Sequence, residues 1–362
     1  MRSLFENNKV VVCTGSGGVG KTTISASLGV LAAQYGQRVL VLTIDPAKRL
    51  ATALGIQGDA NIVKVPGQNF KGELYAGRID SVEIFNAFIR EAAPSNDVVE
   101  KILKNKLYEQ LSTTLSGSQE FTSLVKLYEE QKSNKYDLII LDTPPTQHAI
   151  DFLHSPEKIY ALFQSSITKW FINNTQKGGS VWSRILHKGT QTVLSIFHRV
   201  TGSDFMDELS DFFFSLKDLQ ENITQTCQGT QELLKDKNTA FLLVTSFDRA
   251  KIQEASSYYG ELVSGGYQLD SIIINRAFPK WVLEPKPEIF SSESLEAEYD
   301  RQNQYYTTRE EMFDQFQKDF ADRVNVVKLH ELEEELSGLE GLKLVADLIE
   351  TQVNNETTGG MK

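Results

Sequence analysis

The chain has 362 residues, 40% of them hydrophobic, enough for a sizeable core and incompatible with global disorder. Its net charge of -11 argues against a nucleic-acid binder, which relies on a basic footprint. Two cysteines, Cys13 and Cys227, exclude a disulfide scaffold, and no apolar run is long enough for a signal peptide or a membrane span; a cytoplasmic protein with no direct membrane anchor is expected.

The first element is an apolar run, Val10 to Thr14, that reads as a strand. It leads into "GSGGVGKTT" and then a helical stretch, Thr23 to Tyr35. Gly15 to Thr22 satisfies the pattern G-x-x-x-x-G-K-[ST] in the strand–loop–helix setting that a phosphate-binding loop requires. Glycines let successive backbone N–H groups turn inward toward phosphate oxygens, and the helix adds its positive dipole end. The nucleotide-binding candidates are therefore Gly15, Ser16, Gly17, Gly18, Val19, Gly20, Lys21, Thr22 and Thr23. Lys21 reaches the β- and γ-phosphates, which makes it a catalytic candidate as well, and the Thr22 hydroxyl is a Mg²⁺ ligand candidate.

Further strands follow at Arg38 to Asp45, Leu74 to Ile79, Tyr136 to Thr143, Ala240 to Ser246, Ser271 to Asn275 and Val324 to Leu329, with another helix at Ile252 to Val263. Most are nearly continuous in apolar character, as strands buried on both faces are. Strands alternating with helices predict a mostly parallel sheet flanked by helices, the α/β fold of a P-loop NTPase. Asp45 and Asp142 each end a hydrophobic strand before a proline, on the sheet edge that holds the phosphate loop. An aspartate there can orient an attacking water or hold Mg²⁺ through a water; it can also serve only as a turn or cap.

Two stretches break the rhythm. Residues 81–134 and 154–237 lack strand signals and carry apolar residues at helical spacing, so they predict an inserted all-helical subdomain. The nucleotide-binding domain is then 1–80, 135–153 and 238–353, and the polar run 354–362 is a flexible tail. Within the insertion, Val181, Trp182, Ile185, Leu186, Val193, Leu194, Phe197 and Val200 recur every three to four residues. This stripe is either the insertion's own core or one wall of a groove for a hydrophobic helical client.

The loop "GSGGVGKTT", with "DPAKRL" as switch I, "DTPPTQHAIDFL" as switch II and "SIIINRAF" near the end, resembles the ArsA and tail-anchored-protein-targeting ATPases, over roughly residues 9 to 350. The "GSGGVGKT" loop is similar to that of a bacterial ArsA-like subgroup. The resemblance implies ATP and Mg²⁺ as ligands and a nucleotide-driven dimer switch coupled to a helical subdomain that binds a client or a membrane-protein partner. By position it makes Asp45 the residue that activates the hydrolytic water, Asp142 the switch II aspartate near Mg²⁺ and Asn275 the reader of adenine. Asp248 falls near a position where relatives contact nucleotide.

Departures from the family pattern sharpen the question. Relatives carry a lysine at the second loop position that reaches the nucleotide of the partner subunit; here it is Ser16. The chain is then either an ATPase, working as a homodimer or beside a lysine-bearing paralogue, or a nucleotide-binding subunit that hydrolyses poorly and serves as such a paralogue's structural partner. Two distant cysteines make a clustered-thiolate arsenite site unlike this chain, and there is no C-x-x-C pair for a zinc-bridged dimer. His148, His154, His187, His198 and His330 show no tight ligand spacing.

Overall fold

The computed structural model describes residues 1–43, 50, 54, 62–67, 69–105, 117–143, 152–164, 219–320, 323–332 and 338–359. The chain divides into two compact units, one of residues 1–79, 129–150 and 234–362 and the other of 80–128 and 151–233.

The first unit is built on one eight-stranded sheet. In chain order its strands are β1 (Val10–Gly15), β2 (Arg38–Thr43), β3 (Ile62–Lys64), β4 (Glu73–Arg78), β5 (Leu138–Asp142), β6 (Thr239–Ser246), β7 (Leu269–Asn275) and β8 (Asn325–Lys328). They lie in the order β3-β4-β2-β5-β1-β6-β7-β8. Every neighbouring pair is parallel except β3 with β4, which makes the sheet mostly parallel and places its one antiparallel strand at an edge. This is the α/β architecture of a P-loop NTPase, as the strand pattern predicts.

The central strands are buried along their whole length because both faces are covered. On one face, Val11, Cys13, Val41, Ile140 and Leu242 join a core completed by helices α1 (Arg2–Asn7), α2 (Lys21–Gln34) and α10 (Gly338–Gly359). Helix α2 approaches closely because it is rich in small residues; a methyl group at Gly29 would come within 2.5 Å of Val41 Cγ2. The Tyr35 hydroxyl at its end donates to Glu350 of α10. The opposite face is met by α8 (Arg249–Ser264), which packs on β6 and β7. The long α9 (Glu293–Phe320) buries only Phe313, Phe316 and Phe320 of its last turns among its large apolar residues, with the Phe320 ring edge-on to Tyr259 of α8.

The described elements that make up the second unit are all helical: α3 (Ser81–Ala92), α4 (Asn96–Leu103), most of α5 (Gly117–Lys132), α6 (Ser155–Gln164) and most of α7 (Gln220–Lys235). Asp80 caps α3 by accepting from the N–H groups of Val82 and Glu83, both at 3.0 Å. Its core gathers Phe88, Ile89, Ile102, Phe121, Val125, Leu219, Ile223 and Cys227. The apolar stripe from Val181 to Val200 lies outside the described residues. Among the described residues no helix is long and apolar enough to cross a membrane.

Candidate phosphate-loop site

Parallel register brings the strand ends to one edge. Cys13 and Thr43 are each register partners of Asp142, Gly15 pairs with Val244, and Ser246 pairs with Asn275. The residues that end these strands therefore gather at the edge that carries the loop from Gly15 to Lys21.

Gly15 has φ +149°, and a side chain there would strike the Val244 carbonyl oxygen of the neighbouring strand. Gly20, at φ +91°, caps α2, and a methyl group there would strike the Asn275 amide. Both positions need glycine, one for close approach of two backbones and one for a left-handed cap as well. The cap, Gly20, offers no side chain to the first turn of α2, and the N–H groups of a helix start suit an anion.

Asn275 closes the loop from the far side. Its Nδ2 donates to the Val19 carbonyl at 2.8 Å, and its Oδ1 accepts from Arg276 N at 3.1 Å. A pocket of about 390 Å³ opens beside it, lined in part by Gly20, Thr23, Asn275, Arg276, Leu329 and His330. His330 Nδ1 is buried there with no hydrogen-bond partner. Burial, and then the charge of Lys280, holds the His330 pKa below its ordinary value.

On the near side, Lys21 is buried and its ammonium donates to the Ser16 carbonyl at 2.8 Å, folding back across the loop. The Thr22 hydroxyl donates to Asp142 Oδ2 at 2.7 Å, and Thr43 donates to the same oxygen at 2.9 Å. Asp142 is only 2% exposed. Two hydroxyls and a carboxylate meeting at one buried point form a hard oxygen donor set, the kind that suits Mg²⁺. Thr43 carries no motif signal; its place as the register partner of Asp142 at the end of β2 is what finds it.

Ser16 points elsewhere. It is 2% exposed, and its hydroxyl donates to Glu254 Oε2 of α8 at 2.5 Å. Glu254 also pairs with Lys251 at 3.1 Å. The Ser16 hydrogen bond, and then Lys251, hold the Glu254 pKa below the usual glutamate value. Nothing local in the sequence marks Glu254, because its partner lies 238 positions away.

The remaining candidates divide. Asp248 is the cap of α8, accepting from Ala250 N at 2.9 Å and Lys251 N at 3.4 Å, with Arg309 3.8 Å away. Asp45 and the switch II residues from Pro144 to Ile150 lie outside the described residues. Cys13 and Cys227 are both buried, and burial pushes each thiol up to about 12, so neither is a ready thiolate ligand. Among the described residues no group of three or more His, Cys, Asp or Glu side chains is placed to hold a metal ion.

Comparison with known proteins agrees with this architecture. Residues 8–351 match the anion-transporting ATPase family. The chain is similar to a protein of Aquifex aeolicus named as an arsenical pump-driving ATPase, at 27% identity over 94% of this chain and 78% of the relative. It is also similar to the ATPase GET3 of Malassezia globosa, at 25% identity over 94% of this chain and 90% of the relative. The ATPase get3 of Aspergillus terreus matches at 26% identity over 92% of this chain and 88% of the relative.

Proposed function

The chain belongs to the anion-transporting ATPase family, and from that premise we propose that it is a Mg²⁺-dependent ATPase whose site is the loop from Gly15 to Thr23. The observation that carries this reading is the junction at the sheet edge: Lys21 folded over the loop, with Thr22 and Thr43 both donating to buried Asp142.

The residues fit the ligands chemically. The glycine-capped start of α2 and the glycine-lined loop suit a polyphosphate, and the Thr22–Asp142–Thr43 oxygens suit a small hard cation. Thr22 and Asp142 would hold that ion, Thr22 through its hydroxyl and Asp142 directly or through water. When bound, Mg²⁺ neutralises developing charge on the phosphate oxygens.

This chain's own groups do the rest. Lys21 exchanges the Ser16 carbonyl for the β- and γ-phosphate oxygens, a charge-assisted contact that strengthens as charge builds in the transition state. Asp45 orients the attacking water and takes its proton. Asn275, already tied to the loop through Val19, offers an amide that can donate to and accept from the adenine edge. Nucleotide occupancy drives a dimer switch coupled to the helical subdomain, which takes a hydrophobic helical client or a membrane-protein partner.

One observation favours a second reading. Ser16 is neutral and turned into its own protomer toward Glu254, so the second loop position adds no positive charge. A chain built so is a hydrolysis-poor subunit that holds nucleotide beside a lysine-bearing paralogue. The deciding experiment is ATP turnover of the purified chain, alone and mixed with such a paralogue, with Lys21→Ala as the control. Turnover by the chain alone, abolished in the control, supports the ATPase. Turnover only in the mixture supports the structural subunit, and calorimetry showing equal ATP affinity for parent and Lys21→Ala overturns both.

A further inference from the structure

The amino end of the phosphate loop is tied to an acid on another element. Ser16, buried within the loop, donates through its hydroxyl to Glu254, while its carbonyl accepts from Lys21. Glu254 leans in turn on Lys251, three residues earlier on α8. A continuous hydrogen-bonded chain thus runs from the phosphate-reaching ammonium, through one serine, to an ion pair on a different helix. The Lys251 backbone is itself held to the sheet, its carbonyl accepting from Thr245 of β6 at 3.0 Å. The backbone that carries Lys251 is therefore fixed to the sheet.

We propose that Glu254 is a positioning residue that sets the first turn of the phosphate loop through Ser16, and that its charge, balanced against that of Lys251, makes the loop discriminate by phosphate charge. The inference rests on the loop being the nucleotide site argued above. The carboxylate anchors the serine but adds a negative charge beside the polyphosphate, and Lys251 offsets part of it. A triphosphate carries more charge than a diphosphate, so it feels the net field of this pair more strongly. The balance of Glu254 against Lys251 then tunes ATP affinity relative to ADP affinity, with no contact between either side chain and the nucleotide. Asp248, at the start of the same helix, adds a further negative charge near Glu254.

The test is calorimetric affinity of the full chain for ATP and for ADP, each with Mg²⁺, at low and high salt. Glu254→Gln keeps an acceptor for the Ser16 hydroxyl and removes the charge. The ratio of ATP to ADP affinity is expected to rise about threefold or more at low salt, with a smaller rise at high salt. Lys251→Gln is expected to lower the ratio, and the double variant to return it near the parent value. Ser16→Ala, which leaves both charges, should weaken both nucleotides alike by loosening the loop. A role confined to holding the fold would move both affinities together in every variant. An unchanged ratio in Glu254→Gln and Lys251→Gln, or a shift of the same sign in both, overturns the proposal while leaving the nucleotide site standing. Absence of nucleotide binding by the parent overturns the site itself, and the proposal with it.

Discussion

The carboxyl end of the phosphate loop is held by partners that the sheet brings to it, and the amino end by a partner on a helix that follows β6. Thr22 meets Asp142 because β1 and β5 are parallel neighbours in register, and Asn275 reaches Val19 from the end of β7. Ser16 meets Glu254 of α8 across a sequence gap of 238 residues. The first arrangement follows from a strand order that any sequence of this topology shares. The second depends on particular side chains at two unrelated positions. Chemistry common to the fold should therefore sit at the carboxyl end, and properties peculiar to this chain at the amino end.

The largest effect is expected at Asp45, which lies outside the described residues, and the next at the carboxyl end of the loop. Asp45 stands two residues beyond Thr43 in sequence, and Asp45→Asn is expected to leave ATP affinity within a few-fold while lowering turnover on the order of a hundredfold. Unchanged turnover would move the water-activating role elsewhere. Next is Lys21→Ala, expected to weaken ATP binding by about tenfold or more. Thr22→Ala should lose affinity mainly when Mg²⁺ is present, so titration with and without a chelator separates the two roles. A magnesium-independent loss would assign Thr22 to the loop's packing instead.

Smaller, and structural, is Gly20→Ala. The left-handed φ and the crowding against the Asn275 amide predict a loss of about 1 to 3 kcal/mol, read by denaturant titration. The same change at Gly18, also left-handed but facing open space, should cost less. If the two cost the same, crowding by Asn275 contributes nothing and the tie from β7 to the loop is incidental.

Much of this was legible in the sequence for a physical reason. Strands buried on both faces are continuous apolar runs, and the seven predicted strands, most of them such runs, fall on β1, β2 and β4 to β8. β3 escaped because it is three residues long, edge-placed and only partly buried, so it carries neither a long run nor a clear alternation. Helix α9 escaped because most of its 28 residues face solvent and its large buried apolar residues cluster in the last turns, leaving no stripe along its length. Lys21, Thr22 and Asp142 are found by motif and by strand end. Glu254 and His330 are not, because what makes them matter is a neighbour brought by folding, and a single chain shows no trace of that.

The smallest expected effect concerns His330, on the pocket wall beside Gly20 and Asn275. Burial, and then Lys280, holds its pKa below the ordinary 6.5. The sign follows from which state takes up the proton first. As pH falls through about 6.5, the unfolded chain protonates this histidine while the folded chain keeps it neutral, because its charged form would sit in a partly dry pocket near a lysine. The unfolded state then binds more protons, so the contribution of His330 to stability is complete above that pH and declines below it, until the folded form protonates too. Thermal melts of the parent and His330→Gln, compared from about pH 7.5 to about pH 5.5, should converge or cross as pH falls. The differential is expected to be no more than about two degrees, since the ring is part exposed and solvent screens its charge. ATP that covers this wall should change the pH dependence, since the base excludes water from the imidazole and the phosphates bring negative charge toward it. If added ATP leaves the pH dependence of the two proteins unchanged, the pocket beside Asn275 is not where the base lies, and the carboxyl end of the loop loses its claim to the whole nucleotide.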